Sequence, residues 1–585
     1  MKKRFILLAL LSSSFLLSSC SISESVTPPD PDNSQNEEII ELSFEINIVG
    51  KGNVRAFLNG AEITSSNFSD KVKEGDTITV DIKAETGYVF ESAKLNDTNL
   101  TKSGNYYTFV VQKGKNILNV TFKEVTTNQS DFTYEVINNN EVAITSFKST
   151  SEVIPNPLII PDEVLVDGKT YKVSEIRASV FLNQDIEGIK LGANIKKIDD
   201  EAFNGLRSLK EFLVDENNLS FTSLDGILYS KDETTLIKMP IAYKERDIVI
   251  KEGTQNIQNY AFNDCLNTES VTLPEGLISI GDYAFTDSSK LASINFPSTL
   301  KSIGDYAFRN IHSLKEINLN EGLEKLGDGS FYQTSLEKAS FPSTLKEIPL
   351  YSFYFCRNLK TVSFKEGLES IGEQAFISTS ITSLDLPNSL KTISQSAFEL
   401  CSSLESVKFN EGLETIESFA FSRANNINLI SLPSTLKNIG YNPFSGIARL
   451  GYTDNFKVSS NNPYFEIIDN VLFTKGENKK LLSYPFGKEE TEYHVPSGTT
   501  YLYVDSFAYQ NNLLTIYLPT SIKDINSAFR VMYSELSDKP SLTVHYKGTI
   551  EEFKKINLHG ELGSWHEETE ITNNEIICSD GTLRL

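Results

Sequence analysis

The chain has 585 residues, 39% apolar, 10% aromatic and 23% charged, a folded-protein composition too long for one compact core, since domains run to about 100–200 residues. Asp and Glu number 78 against 54 Lys and Arg, a formal charge of −24, and a surface this negative repels phosphate backbones, which argues against nucleic acid as a partner. Five cysteines and five histidines over the whole length leave little material for a metal site or a disulfide scaffold, so no metal and no small-molecule cofactor are expected.

Lys2, Lys3 and Arg4 make a positive start to an apolar run from Phe5 to Leu17. Thirteen residues are too few for a permanent spanning helix but suit the apolar core of a secretory signal over residues 1–19. The run ends at Leu17-Ser18-Ser19-Cys20, which resembles the lipobox of bacterial lipoproteins. The resemblance implies cleavage before Cys20 and diacylglycerol on its thiol, with two or more acyl chains holding the protein stably on a membrane. The expected location is the bacterial cell surface, either the outer membrane or the extracellular face of the cytoplasmic membrane. Residues 20–40 carry the lipidated Cys20 and then Pro28, Pro29, Pro31, Asp30, Asp32, Glu37 and Glu38. That composition buries no apolar face and reads as a solvated tether.

Residues 41–125 alternate apolar and polar positions in short runs, as in Thr77-Ile78-Thr79-Val80-Asp81-Ile82, broken by Asn59-Gly60, Gly75-Asp76 and Gly114. The pattern predicts a small all-β domain. Its segment EGDTITVDIKAETGYVF resembles bacterial extracellular repeat modules.

From residue 131 an Ala-Phe or Ser-Phe step recurs, at Phe181, Phe203, Phe262, Phe285, Phe308, Phe331, Phe353, Phe376, Phe398, Phe421, Phe444, Phe507 and Phe529, mostly every 22 or 23 residues. A fixed period in this range means a solenoid. Apolar residues recur 5, 8, 12, 14 and 17 positions before the phenylalanine, for instance Leu326, Leu323, Leu319, Ile317 and Leu314 before Phe331. The pair two apart marks a strand with one face inward; the GDYAF-type segment is expected to make one helical turn. About six inward side chains per coil cannot be buried by that coil alone, so stacking is obligatory. The two long intervals, before Phe262 and Phe507, match one another: Leu224-Asp225-Gly226-Ile227 and Ile468-Asp469-Asn470-Val471 both read as hairpin turns, in inserts near 212–247 and 456–492. One further position alternates in sign, Lys301, Glu324, Lys346, Glu369, Lys391, Glu414, Lys437. At about 4.8 Å between neighbouring strands these charges would form an attractive ladder.

The units SLKEINLNEGLEKLGDGSFYQT and KLASINFPSTLKSIGDYAFRN, the hairpin inserts, and a terminal segment from Val544 to Thr549 with Cys578-Ser579-Asp580-Gly581 resemble the BspA-like leucine-rich repeats of bacterial surface proteins. The resemblance implies a right-handed, β-rich solenoid with short helical turns over 131–540, closed by a capping unit over 541–585. It also implies a role in adhesion to host matrix proteins, host cells or other bacteria.

Catalytic chemistry finds no foothold in this pattern. No nucleophile elbow, phosphate loop or dinucleotide fingerprint occurs in the sequence. Cys265, Cys356 and Cys401 each fall three residues after a repeat phenylalanine and are expected to be buried thiols. No catalytic residue is assigned, and the chain is not expected to be an enzyme. For ligand binding, Tyr501, Tyr503 and Tyr517 flank Leu502 and Leu518, an alternation that turns their rings outward. Such aromatics suit protein or sugar contact, although edge packing against the hairpin insert explains them as well. The expected function is a lipid-anchored adhesin or interaction protein with an extracellular protein ligand; the alternative is a carbohydrate-binding surface lipoprotein.

Overall fold

The computed structural model describes residues 42–85, 88–150, 153–504, 506–507, 512–529, 542–559 and 571–584. The signal segment 1–19, Cys20 and the tether 20–40 lie outside them.

The described residues divide into two compact units, of which the first takes 42–49, Asn53–Lys83 and Glu91–Thr121 and the second the remaining described residues. Alternation builds the first. Ser43–Val49 pairs in parallel with Lys115–Glu124 in a four-stranded sheet, and Thr77–Ala84 and Tyr106–Val110 lie side by side in a five-stranded one. Every second residue of Thr77–Ala84 and Lys115–Glu124 points inward, so Ile78, Val80, Leu118 and Val120 are fully buried. The sheets meet through Phe44 and Phe109, whose ring centroids are 5.8 Å apart.

The second unit is a stack of coils, and its regular part has three columns. Three-residue strands pair in parallel from coil to coil, as in Glu316–Asn318, Lys338–Ser340 and Thr361–Ser363. Two-residue strands form a second parallel ladder, Asn256–Ile257, Ser279–Ile280, Ser302–Ile303 and Lys325–Leu326. The third column is the repeat phenylalanine. From Phe262 to Phe421 eight rings, all fully buried, stack with centroids 4.6–5.3 Å apart.

The phenylalanine segment is not the helical turn expected from its length. Residues two before and two after each ring are left-handed, for example Tyr283 at φ 55° and Asp287 at φ 60°, and a left-handed residue cannot continue a right-handed helix. Two successive turns form instead, closed by Thr286 N donating to Tyr283 O and Ser288 N to Phe285 O. The ring's own N–H is thereby free to donate to the next coil, Phe285 N to Ala307 O at 2.7 Å. Coils approach so closely just before this turn that a Cβ on Gly327 would lie 2.3 Å from the backbone of Gly304. There the side chains of Asn259, Asp282 and Asp305 each accept from the backbone N–H of the following coil.

Both long intervals are hairpins. Phe221–Leu224 pairs with Ile227–Ser230 through Asp225 and Gly226, and Phe465–Ile468 with Val471–Thr474 through Asp469 and Asn470, all four turn residues at positive φ. They do more than interrupt the array. Leu228 belongs to the apolar cluster of Phe203 and Phe212, whereas Ile227 and Tyr229 belong to the next one. Likewise Leu472 faces the central cluster, and Val471 and Phe473 face that of Tyr493 and Ile516. A strand presents alternate residues to opposite sides, so each hairpin walls off the core, which is three clusters rather than one unbroken interior. The last of them closes with Leu542–Tyr546 pairing Ile571–Cys578, and that strand pairing Gly581–Arg584.

The sign-alternating ladder forms ion pairs at Lys301–Glu324 (2.9 Å), Glu369–Lys391 (2.7 Å) and Glu414–Lys437 (3.0 Å). Lys346 instead donates to Gly367 O. A second use of the two-coil alternation was not visible in the charges: Glu321, Glu366 and Glu411 each accept backbone N–H bonds from the following coil, at Ser343, Asn388 and Ser434. The hydrogen bond and charge of Lys391 hold the Glu369 carboxyl below its ordinary range. Its stabilising contribution is therefore complete above the usual glutamate range and is lost as pH falls through the lowered value. Glu369→Lys should lower the melting temperature, the double reversal with Lys391→Glu should recover only part of it, because the swapped pair then meets Lys346 and Glu414 with like charge, and high salt should erase the differences. Equal melting of all three at low salt would remove any energetic role for the ladder.

Candidate functional site

Tyrosine recurs on the turn face of the coils. Tyr260, Tyr283 and Tyr306 stand two residues before successive phenylalanines, and their rings stack at 5.0 and 5.3 Å. In the next coil this place is Gly329, at φ +59°, where an added Cβ would lie 2.4 Å from Tyr306 Cε1. The missing side chain is what the site is built on. The Tyr306 ring settles over the glycine, and the column shifts sideways to Tyr332, whose ring meets Tyr306 at 61° with centroids 5.9 Å apart. Tyr332 then stacks on Tyr354 at 4.7 Å, and Tyr351 closes edge-on against Tyr354 at 5.3 Å.

The dislocation leaves a groove of about 400 Å³ lined by Tyr283, Tyr306, Arg309, Tyr332, Tyr351 and Tyr354. The Arg309 guanidinium lies 5.7 Å from the Tyr332 ring centroid, in cation–π range. Burial pushes the Tyr306 and Tyr354 phenols upward, so both stay protonated hydrogen-bond donors. The arrangement supplies half-buried aromatic surface, hydroxyls and one guanidinium. These are recognition groups, with nothing among them poised to make or break a bond. The signal in the sequence is tyrosine at one offset in three consecutive coils followed by glycine at the same offset.

The structure separates the three tyrosines nominated from alternation. Tyr501 and Tyr503 are neighbours with centroids 5.9 Å apart, at the end of Thr499–Leu502 in the sheet that contains the second hairpin. Tyr503 packs against the central apolar cluster, and Tyr501 accepts a hydrogen bond from Asn526 and lies beneath Lys480. Tyr517 is in a different sheet, sandwiched between His494 at 4.1 Å and His545 at 4.8 Å. The three do not form one patch, because inward Leu502 and Leu518 belong to the two different columns of the coil.

Cys265, Cys356 and Cys401 are buried free thiols. Burial raises the Cys356 thiol to about 12 and the Cys401 thiol to about 11, and each donates to the carbonyl of the preceding coil's phenylalanine. Among the described residues no three His, Cys, Asp or Glu side chains are grouped to hold a metal ion, and no helix is long and apolar enough to cross a membrane.

Comparison with known proteins gives a match to the family described as BspA type leucine rich repeat region, in six copies over residues 170–240, 242–350 and 324–450. No curated protein matches the chain. Among solved structures, a leucine-rich repeat protein from Eubacterium ventriosum is 21% identical over 47% of this chain and 62% of its own, with a TM-score of 0.33; the match thus takes in less than two thirds of that protein. One from Bacteroides ovatus is 25% identical over 52% of this chain and 94% of its own, TM-score 0.29. A leucine rich cell surface protein from Faecalibacterium prausnitzii is 16% identical over 77% of this chain and 99% of its own, TM-score 0.24.

Proposed function

Because residues 170–240 and 242–450 match the BspA type leucine rich repeat family, we propose that the chain is a cell-surface adhesin or interaction protein that holds an extracellular protein ligand on its solenoid. The observation that carries the reading is the groove of five tyrosines and Arg309. Tyrosine and arginine are the side chains that dominate protein–protein hot spots, and the stacked coils hold them rigidly, which lowers the entropy cost of binding. The alternative, a glycan, is favoured by the hydroxyls these tyrosines carry. A sugar ring, however, packs on an open aromatic face, and stacking covers Tyr283 on both sides, by Tyr260 and Tyr306. The test is binding of soluble protein 41–585 to matrix glycoproteins, intact cells and a glycan array. Saturable binding to a protein or to cells is expected; binding only on the glycan array would favour the alternative, and none anywhere would sink both.

Export and anchoring through lipid on Cys20 belong to the same proposal and rest on Leu17-Ser18-Ser19-Cys20 after the apolar run. Cys20→Ser should move the protein from the membrane fraction to the soluble one. Unchanged fractionation would remove the anchor.

A further inference from the structure

Lys238 is 2% exposed, on the strand Thr235–Lys238 of the first insert. Its Nζ donates to Asn204 Oδ1 at 3.2 Å and to Tyr260 O at 2.6 Å. Both acceptors are neutral, so an ammonium here gives up its hydration without a direct counter-charge, which favours the free amine. Burial accordingly lowers the Lys238 pKa to about 8, with Cys265 and Asp264 opposing the shift. The result is an amine held by a hydrogen bond against the side-chain carboxamide of a residue 34 positions away in the chain, which brings the two reacting groups together before any chemistry.

The second insert serves as an internal control. Leu481-Leu482-Ser483-Tyr484-Pro485 aligns with Leu236-Ile237-Lys238-Met239-Pro240, and Ser445 follows its repeat phenylalanine as Asn204 follows Phe203. The backbone is the same, Met239 N donating to Ala261 O and Tyr484 N to Ser506 O, both at 2.8 Å. Ser483 and Ser445 are buried at 2% and 5% exposure. Two serines therefore satisfy this place in the fold. The insert lysine and the asparagine of the coil before it are present together at the first insert and replaced together at the second.

We infer that Lys238 and Asn204 become joined by an intramolecular isopeptide bond. Nζ attacks Cγ of Asn204; the Nζ–Cγ bond forms and the Cγ–Nδ2 bond breaks. One proton passes from Nζ to the departing nitrogen, which leaves as ammonia, and nothing is oxidised or reduced. Asp264 feels the Lys238 charge, and burial raises its proton affinity, so its carboxyl is suited to carry that proton. The bond would tie the first hairpin wall to the coil before it, across 34 residues.

The experiment is trypsin digestion and tandem mass spectrometry of the full folded chain. A branched peptide is expected that joins the Asn204 and Lys238 segments, lacks one ammonia and is uncut after Lys238. Asn204 precedes Gly205, and an Asn-Gly step can also lose ammonia by cyclising on its own backbone, so the mass deficit alone does not decide. Lys238→Ser, the residue the second insert carries, should abolish the branch. Ordinary linear peptides from the folded wild type, with trypsin cutting after Lys238 and no branch to the Asn204 segment, would overturn the inference.

Discussion

Phe353→Ala is expected to destabilise the repeat array by about 3–5 kcal/mol, the range for deleting a buried phenyl ring. Phe353 is fully buried. It stacks between Phe331 at 5.3 Å and Phe376 at 5.1 Å, with Phe341 edge-on at 5.4 Å. The cavity cannot collapse along the column, because the flanking rings are pinned by backbone bonds between coils, Phe331 N to Ser352 O and Phe376 N to Ala397 O. In a stacked array each unit is stabilised by its neighbours, so the loss is felt on both sides. Urea denaturation followed by far-UV circular dichroism is the measurement, with Leu219→Ala, at an 86% exposed position, as control. A cost below about 1 kcal/mol, the ordinary centre for point mutants, would mean that the phenylalanine column is not what holds the coils together. A second, shallower transition appearing in the mutant would report that the array has split at this coil.

Gly329→Tyr should abolish ligand capture by the groove while leaving the fold intact. Tyrosine is already accepted at the equivalent left-handed position in four coils, Tyr260, Tyr283, Tyr306 and Tyr351 at φ 57°, 55°, 51° and 58°. The new ring would complete the column and drive the Tyr306 ring off the place it occupies over Gly329, filling the dislocation that makes the groove. Tyr332→Ala removes an aromatic anchor by the opposite route and is expected to weaken binding by about 2 kcal/mol, roughly 30-fold. Titration against the matrix glycoprotein or cell type that scores in the binding assay, with melting temperature measured in parallel, checks both. Unchanged affinity in both variants, with the fold preserved, would move the binding face elsewhere on the solenoid.

Much of the architecture is legible in one dimension because its cause is local and repeated. A ring every 22 or 23 residues with apolar partners at constant offsets can be buried only by stacking, and that is how Phe262 to Phe421 are arranged. The turns at Asp225-Gly226 and Asp469-Asn470 are legible for the same reason, since few residue pairs hold positive φ at two successive positions. The conformation around the phenylalanine was not. A short GDYAF segment suits a helical turn by length, and it is the hydrogen bond from each ring's N–H to the next coil that selects left-handed residues on either side.

The candidate site divides along the same line. Tyr501, Tyr503 and Tyr517 share an alternating pattern, yet the coil carries the first two and the third on different sheets. Alternation says which side of a strand a residue takes and nothing about which strand will be its neighbour. The groove has the reverse character: its tyrosines are plain in the repeat, but what opens it is the absent side chain of Gly329, and an absence acquires meaning only when the Tyr306 ring of the previous coil is seen to fill it. The hairpins, too, are read from their turns, while their role as partitions depends on Leu228 and Leu472 meeting apolar clusters on the opposite side from their neighbours in the strand. Periodicity along the chain thus dictates the coil, its inward face and the need to stack. The contacts between one coil and the next, governed by ring size, charge and close backbone approach, decide where the core is divided and where the surface opens.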